Sequence, residues 1–425
     1  MKKCYYFGGF LMNFVLFDDE KIENFFPVTL TRSTGDLRVG ILKLRQRISG
    51  FFNIDKMQYI LPVFLEKLYQ ERHPEWKINS LSAAETVFIN SRLKVSDEIC
   101  STISKMSIDS ILLTKDGSVV AAKFLPAEQT CATENLKSLF STVKNQEIIE
   151  DCLWENLWEM INSNAELLKD DFDNFFYEKD NSLVLEVGVT ALNPYQIWIG
   201  EGAEIKPGVV LDASEGPIVI DEEAKIMANS VIVGPVYIGK KSVIKALSKI
   251  YEGTSIGPVC KIGGEVEESI IQAYSNKQHE GFLGHSYLGE WVNLGADTNN
   301  SDLKNNYKTV KSYFYPLCKK IDTGWQFLGA IIGDHVKTGI NTTINTGCVI
   351  GVGCNLYGKD VITDFVPSFS WGEMENLTEY KIEPFLETAA TVKKRRKLIL
   401  SENETELYKK IQNKKQFTLK EECEE

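Results

Sequence analysis

Histidine is scarce in this chain, four in 425 residues, and two of the four lie six apart, at positions 279 and 285. An imidazole titrates near neutral pH, so it is the natural side chain to take a proton from an attacking amine or hydroxyl. The segment around them, Ser275–Thr309, is polar. It also holds Asn293, the small turn Gly295-Ala296, and a loop that ends Asn305-Asn306-Tyr307-Lys308. His279 is read as the general base. His285 is read first as a turn residue bonded to a neighbouring stretch of chain, and His335 as a solvent-facing corner. The three together would suffice in number for zinc, but separations of six and fifty residues do not suggest a metal site, and none is expected. Asn293 suits a sugar hydroxyl or the orientation of the base. Lys304 and Lys308 suit a phosphate.

This segment interrupts a long repeat. Aliphatic residues recur every six positions: Ile199 and Ile205, then Ile220, Ile226, Ile232, Ile238, Ile244, Ile250, Ile256 and Ile262. The rhythm resumes at Ile332, Thr338, Ile344, Ile350, Leu356 and Ile362. Period six fits neither a helix nor a hairpin array. It fits a short strand and a turn on each face of a triangular prism, three hexads to a coil, with coils stacked roughly 4.8 Å apart. Such coils are left-handed parallel β-helices and commonly pack as trimers. The clefts between them suit a long thin ligand such as the pantetheine arm of CoA, and corner N–H groups there can polarise a thioester.

Before the repeat the texture is α/β. Asn13–Phe17 and Val87–Asn90 read as strands, Ile111–Thr114 and Ser118–Lys123 as a hairpin, and Ile41–Ile48, Glu134–Thr142 and Leu153–Leu168 as helices. After the repeat, Glu387–Gln412 reads as a charged helix. Its run Lys393-Lys394-Arg395-Arg396-Lys397 is taken as a solvated face, although it could meet a CoA phosphate. The acidic end Glu421–Glu425 is expected to be disordered. The expected domains are 12–185, an α/β unit; 197–366, the β-helix; and 367–425, a helical tail.

The net charge of −12, from 47 basic and 59 acidic residues, argues against nucleic acid as a partner. Nine scattered cysteines without a CxxC pair are expected to be reduced thiols in a cytoplasm. The apolar opening makes a poor signal peptide, and Met12 competes with Met1 as the start. No membrane span is expected.

The run Gln278-His279-Glu-Gly-Phe282, continuing Leu-Gly-His-Ser-Tyr-Leu288-Gly-Glu-Trp-Val-Asn293-Leu-Gly-Ala296-Asp-Thr298, with Asn305–Thr309 closing the loop, resembles the acetyltransferase half of the bifunctional N-acetylglucosamine-1-phosphate uridyltransferase/glucosamine-1-phosphate N-acetyltransferase family. The resemblance places His279 on the family's general base, Phe282 on an aromatic at the sugar phosphate, Asn293 on a sugar-binding Asn, and Ala296, Ile340 and Gly358 on the acetyl-CoA wall. Phe282 lacks the usual hydroxyl and Asp297 replaces a Gly. Gly263 stands where a phosphate-binding Arg is usual, so Lys261 is the substitute. The N-terminal part is similar to a reduced sugar-phosphate nucleotidyltransferase. It keeps Pro27-Val28-Thr29-Leu30-Thr31-Arg32 and Leu37-Arg38-Val39-Gly40, but Asp18-Asp19-Glu20-Lys21 replaces the glycine loop and Thr34 stands near the family's Lys. The whole looks like a divergent, Bacteroidetes-type version of the bifunctional enzyme.

The resemblance implies acetyl transfer from acetyl-CoA to glucosamine 1-phosphate, with Lys308 and Lys261 at the phosphate. It also implies uridylyl transfer from UTP with Mg²⁺, with Arg32 and Arg38 at nucleotide phosphates, in a cytoplasmic homotrimer that needs no membrane. The alternative is a nucleotidyltransferase for another sugar, or an inactive N-terminal domain, whose β-helix is only a trimeric scaffold.

Overall fold

The computed structural model describes residues 13–182, 186–414 and 417–418. The expected boundary at residue 185, the choice between Met1 and Met12, and the acidic end fall outside them. Two compact units share the chain: residues 13–25, 31–37 and 42–156 form one, and residues 26–30, 38–41 and 157 onward form the other.

The first unit is a seven-stranded mixed sheet. Asn13–Phe17 is an interior strand next to the middle one, parallel to Gln58–Ile60 on one side and to Thr86–Asn90 on the other. The hairpin expected from the Lys115-Asp116-Gly117 turn forms between Ser110–Leu113 and Val119–Phe124. Val15, Phe17, Ile60, Phe88, Ile111, Phe124 and Phe140 fill one side, with the Phe88 and Phe124 rings stacked at 4.8 Å. Chain order goes from Asn13–Phe17 out to one edge and returns on its opposite side, so a switch point lies between Asn13–Phe17 and Thr86–Asn90. Open α/β sheets bind ligands beyond the carboxyl ends of such strands.

The second unit is the expected parallel β-helix with helices following it. Its strands fall into three parallel stacks, one per prism face. One runs from Thr190–Leu192 to Phe282–Gly284, one from Ile197–Ile199 to Phe365–Val366, and one from Glu204–Ile205 to Asn276–Lys277. The third face is continued through Asn293, Lys337–Thr338 and Asn355–Leu356 to Ser370–Gly372. Coiling therefore begins before residue 197 and continues past 366. The period-six aliphatics all point inward, and Ile220, Ile226, Ile232, Ile238, Ile244, Ile250, Ile256 and Ile262 are fully buried. Cys348 and Cys354, six apart, take the same inward positions. Close stacking leaves no room at some corners: a Cβ at Gly257 would sit 1.7 Å from the Gln272 carbonyl.

Successive coils pair eighteen residues on, Ile220 with Ile238 and Ile238 with Ile256. Tyr287, however, pairs with Ile331. The excess leaves the prism as a loop that carries the antiparallel hairpin Lys311–Phe314 and Lys319–Asp322.

Two expected helices are each broken in two. Leu157–Asn162 and Asn164–Phe175 meet at Ser163. There Asn164 leaves the helical surface to bond Gly253 O at 2.7 Å and the Gly40 N–H at 2.6 Å. Ile382–Lys394 ends where Lys397 turns left-handed, and Glu402–Asn413 restarts on a Ser401–Glu404 capping box. Periodicity survives such breaks, so it could not locate them. Among the described residues six cysteines are free thiols. Cys318 is disulfide-bonded, which corrects the expectation of thiols throughout. Among the described residues no helix is long and apolar enough to cross a membrane.

Candidate functional site

The loop that leaves the prism brings a carboxylate to a histidine. His285 follows the strand Phe282–Gly284 at a corner, with φ of 44°. Its N–H donates to Glu267 O, and its carbonyl accepts from Gly329 N at 2.8 Å. Its Nδ1 lies 2.8 Å from Asp302 Oδ2, and both side chains are about one-seventh exposed (15 % and 14 %). Asp302 belongs to the loop, and its carbonyl accepts from Leu328 N at 2.9 Å. Phe327 stacks on the imidazole at 5.0 Å. A carboxylate accepting from Nδ1–H leaves the lone pair on Nε2, which has no hydrogen-bond partner among the described residues. Orienting carboxylate, fixed ring and bare nitrogen are the parts of a general base. Glu267 completes a group of three possible ligand atoms within 4.8 Å of one another. Burial pushes the neighbouring Glu268 carboxyl up to about 7, against the pull of His285.

His279, the sequence's choice of base, is exposed, and among the described residues its ring has no hydrogen-bond partner. His335 corrects the expectation of a solvent-facing corner: it is 3 % exposed, packed between Trp291 at 6.0 Å and Phe385 at 5.6 Å.

The other expected residues fall into two groups. Lys261 and Asn293 line one pocket on the third prism face. Ala296, Ile340 and Gly358 occupy equivalent positions on three successive coils, because Asn293 pairs with Lys337 and Lys337 with Asn355. The Asn341 N–H bonds the Ala296 carbonyl at 2.8 Å, and the Ile340 side chain is 69 % exposed. Phe282 is half-buried, its N–H held by Asn299 Oδ1 at 2.8 Å. Lys308 is exposed on the loop, and Lys304 is tied to Thr309 O at 2.9 Å. Asp302 was missed because its partner is seventeen residues away in sequence. The one available signal was an acidic residue in an otherwise Asn-rich loop.

The crevice of the first unit is filled by its own hydrogen bonds. Asp18, fully buried, accepts from Ser33 Oγ at 3.0 Å, from Ser91 Oγ, and from Thr34 N at 3.2 Å. Asp19 accepts from Asn90 at 2.8 Å and from both Nε and Nη2 of Arg92 at 3.0 and 2.6 Å. These carboxylates do not fit a Mg²⁺ site, since protein donors already take their oxygens. Arg32 is 3 % exposed and donates to Thr31 Oγ1 at 3.3 Å. Arg38 corrects the expectation of a nucleotide contact. It packs with the coils instead, 5 % exposed, with its guanidinium on Ile41 O and 5.1 Å from the Tyr237 ring centre.

Burial pushes Asp18 from 3.8 up to about 7, outweighing the hydrogen bonds from Ser91, Ser33 and Thr34. A carboxyl raised on folding stabilises the fold fully below its unfolded value, and that contribution is lost as pH climbs to the folded one. Between 3.8 and about 7, wild type should therefore lose ground to Asp18→Asn by up to about 1.4 kcal/mol per pH unit. Urea unfolding of both proteins across that window checks this. A constant difference would mean Asp18 ionises alike in both states.

Residues 14–179 match the sugar nucleotidyl transferase family. Over 154 residues the chain is 40 % identical to a bifunctional sugar-1-phosphate nucleotidylyltransferase/acetyltransferase of Sulfurisphaera tokodaii, covering 35 % of this chain and 37 % of that protein. Over 187 residues it is 28 % identical to a bifunctional protein GlmU of Synechococcus sp., covering 43 % and 35 %. The chain thus spans little more than a third of the length of these curated relatives. A solved UDP-N-acetylglucosamine acyltransferase from Campylobacter jejuni is similar at 13 % identity over 55 % of this chain and 98 % of its own, with a TM-score of 0.26. That overlap is too slight to argue from, and the β-helix rests on its own coils.

Proposed function

We propose, from the premise that these matches support the bifunctional sugar-1-phosphate nucleotidyltransferase/acetyltransferase family for this chain, that it acetylates an amino-sugar 1-phosphate, glucosamine 1-phosphate, and then uridylylates the product. The observation that carries the first reaction is His285, oriented by Asp302 with Nε2 bare. In this reading the substrate amine attacks the thioester carbonyl of acetyl-CoA while His285 Nε2 takes its proton. The N–C bond forms, the C–S bond breaks, and the imidazolium returns the proton to the departing CoA thiolate. Asp302 keeps the ring in the one tautomer that can do this and stabilises the imidazolium. The role first given to His279 thus passes to His285.

Lys261, Asn293, Phe282 and Lys308 are proposed at the sugar phosphate, and Ala296, Ile340 and Gly358 along acetyl-CoA. The column of those three on successive coils supports a wall for an extended arm. A homotrimer would supply the facing wall, and a cytoplasmic location goes with these substrates. Uridylyl transfer from UTP is proposed for the first unit on the strength of the family match over residues 14–179 alone, since the hydrogen bonds that occupy Asp18 and Asp19 leave neither carboxylate free to hold a metal.

The test follows free CoA with acetyl-CoA and glucosamine 1-phosphate, then pyrophosphate after UTP is added. Release of CoA that requires the amino sugar is expected. No CoA release with any amino-sugar 1-phosphate would overturn the first reaction, and no pyrophosphate release would overturn the second.

A further inference from the structure

Carboxylates on the outside of the prism ordinarily have a cation beside them. Glu204 pairs with Lys206 and Lys225, Glu222 with Lys240, Glu265 with Lys249, and Asp364 with Lys320. One corner departs from that pattern. The charges that act most on Glu267 are those of Asp302, His285, Glu252 and Glu265, and those that act on Glu268 are His285, Glu252 and Glu267. Among the described residues no lysine or arginine pairs with Glu267, Glu268 or Asp302. The Glu267 carboxylate receives no hydrogen bond among them either, and Asp302 uses only Oδ2, at 2.8 Å from His285 Nδ1.

Three of these side chains converge. Glu267 pairs with Gly284 on the neighbouring coil, and the His285 N–H donates to Glu267 O, so the coils fix the first two. Asp302 comes from the loop, with its carbonyl tied to Leu328 N. One donor atom of each residue lies within 4.8 Å of the other two, and all three residues are partly buried. In a tetrahedral zinc site with bonds of about 2.1 Å, neighbouring ligand atoms stand about 3.4 Å apart, a spacing that small side-chain rotations reach from here. Three protein ligands leave the fourth position to water. One imidazole with two carboxylates suits a zinc-type ion, whereas Mg²⁺ and Ca²⁺ favour oxygen donors throughout.

We propose that Glu267, His285 and Asp302 hold a divalent transition-metal ion, Zn²⁺ by the chemistry of the donors, and that the bound metal switches the base off. Either ring nitrogen used as a ligand removes the bare Nε2. Bound through Nδ1, the neutral imidazole carries its proton on Nε2; bound through Nε2, the lone pair itself is taken. The site stands on its three donors whichever reaction the chain performs. Its effect on acetyl transfer rests on the reading of His285 as the base.

Calorimetric titration of the metal-free whole chain with ZnCl₂, and separately with MgCl₂, tests the site. One zinc per chain is expected, with magnesium bound far more weakly. Loss of an outer partner of a metal ligand already costs about 10–100-fold in affinity, so Glu267→Gln, which removes a ligand, should weaken zinc at least about tenfold. Without metal that variant should acetylate as wild type does, and with zinc it should keep the activity that wild type loses. No zinc bound, or zinc bound equally well by the folded Glu267→Gln variant, as at a thiol site, would overturn the proposal. Zinc bound here with acetyl transfer unimpaired would overturn the switch, and with it His285 as the base, while leaving the metal site in place. Should Glu267→Gln fail to fold, zinc titration of Glu267→Asp and Asp302→Asn supplies the same comparison.

Discussion

His285→Ala is expected to lower acetyl transfer by about two to four orders of magnitude, the usual worth of a positioned general base, with the KM for acetyl-CoA little changed. His279→Ala should stay close to wild type. The contrast rests on geometry: His285 has a carboxylate 2.8 Å from Nδ1 and a ring packed on Phe327, whereas His279 is exposed. Asp302→Asn separates an orienting role from a purely structural one. The amide keeps the shape but can hold the wrong tautomer, so kcat should fall while KM and the folded state are kept. Equal rates for wild type and His285→Ala would end the proposal for this residue. Loss in His279→Ala alone would restore the assignment made from sequence.

The largest loss of stability is expected at Arg92. Its side chain is completely buried and donates to Asp19, to Trp154 O at 2.6 Å and to Glu155 at 3.0 Å. Arg92→Ala removes the partner of Asp19 and leaves a carboxylate that is 15 % exposed without its counter-charge. Breaking a buried pair on one side costs about 3–5 kcal/mol, a large share of the stability of a unit this size. Arg92→Lys should recover only part, because an ammonium cannot make the paired contacts of the guanidinium. Chemical denaturation followed by the tryptophans would show an early transition. A loss under about 1 kcal/mol would mean that water repairs the site.

The sequence revealed the repeat and not the site. Ile220 to Ile262 announced the prism because each coil repeats one physical problem: an inward position that only an aliphatic fills. The strand Asn13–Phe17 and the hairpin at Lys115-Asp116-Gly117 were legible for the same local reason. The pairing of His285 with Asp302 was not, because the loop between them has no period and its fold is set by contacts distant in sequence. The burial of His335 was hidden too: its burying partners, Phe385 and Tyr408, arrive after the coils have ended. Arg38 misled because an arginine in a motif-like stretch reads as a phosphate ligand until one sees that the stretch lies on the coils.

That placement of Arg38–Ile41 has a consequence for synthesis of the chain. The Tyr287 hydroxyl bonds Arg38 O at 2.9 Å, 249 residues further on, and Ser255 bonds Gly40 O at 2.8 Å. A ribosome elongating at about 5–20 residues per second takes roughly ten seconds to a minute to reach those partners. Through that interval an early piece of the nascent polypeptide waits with its backbone unpaired. Docking of Arg38–Ile41 is therefore timed by translation of the coils, and slowing elongation downstream of residue 41 should lengthen the window in which chaperones or proteases can engage this segment.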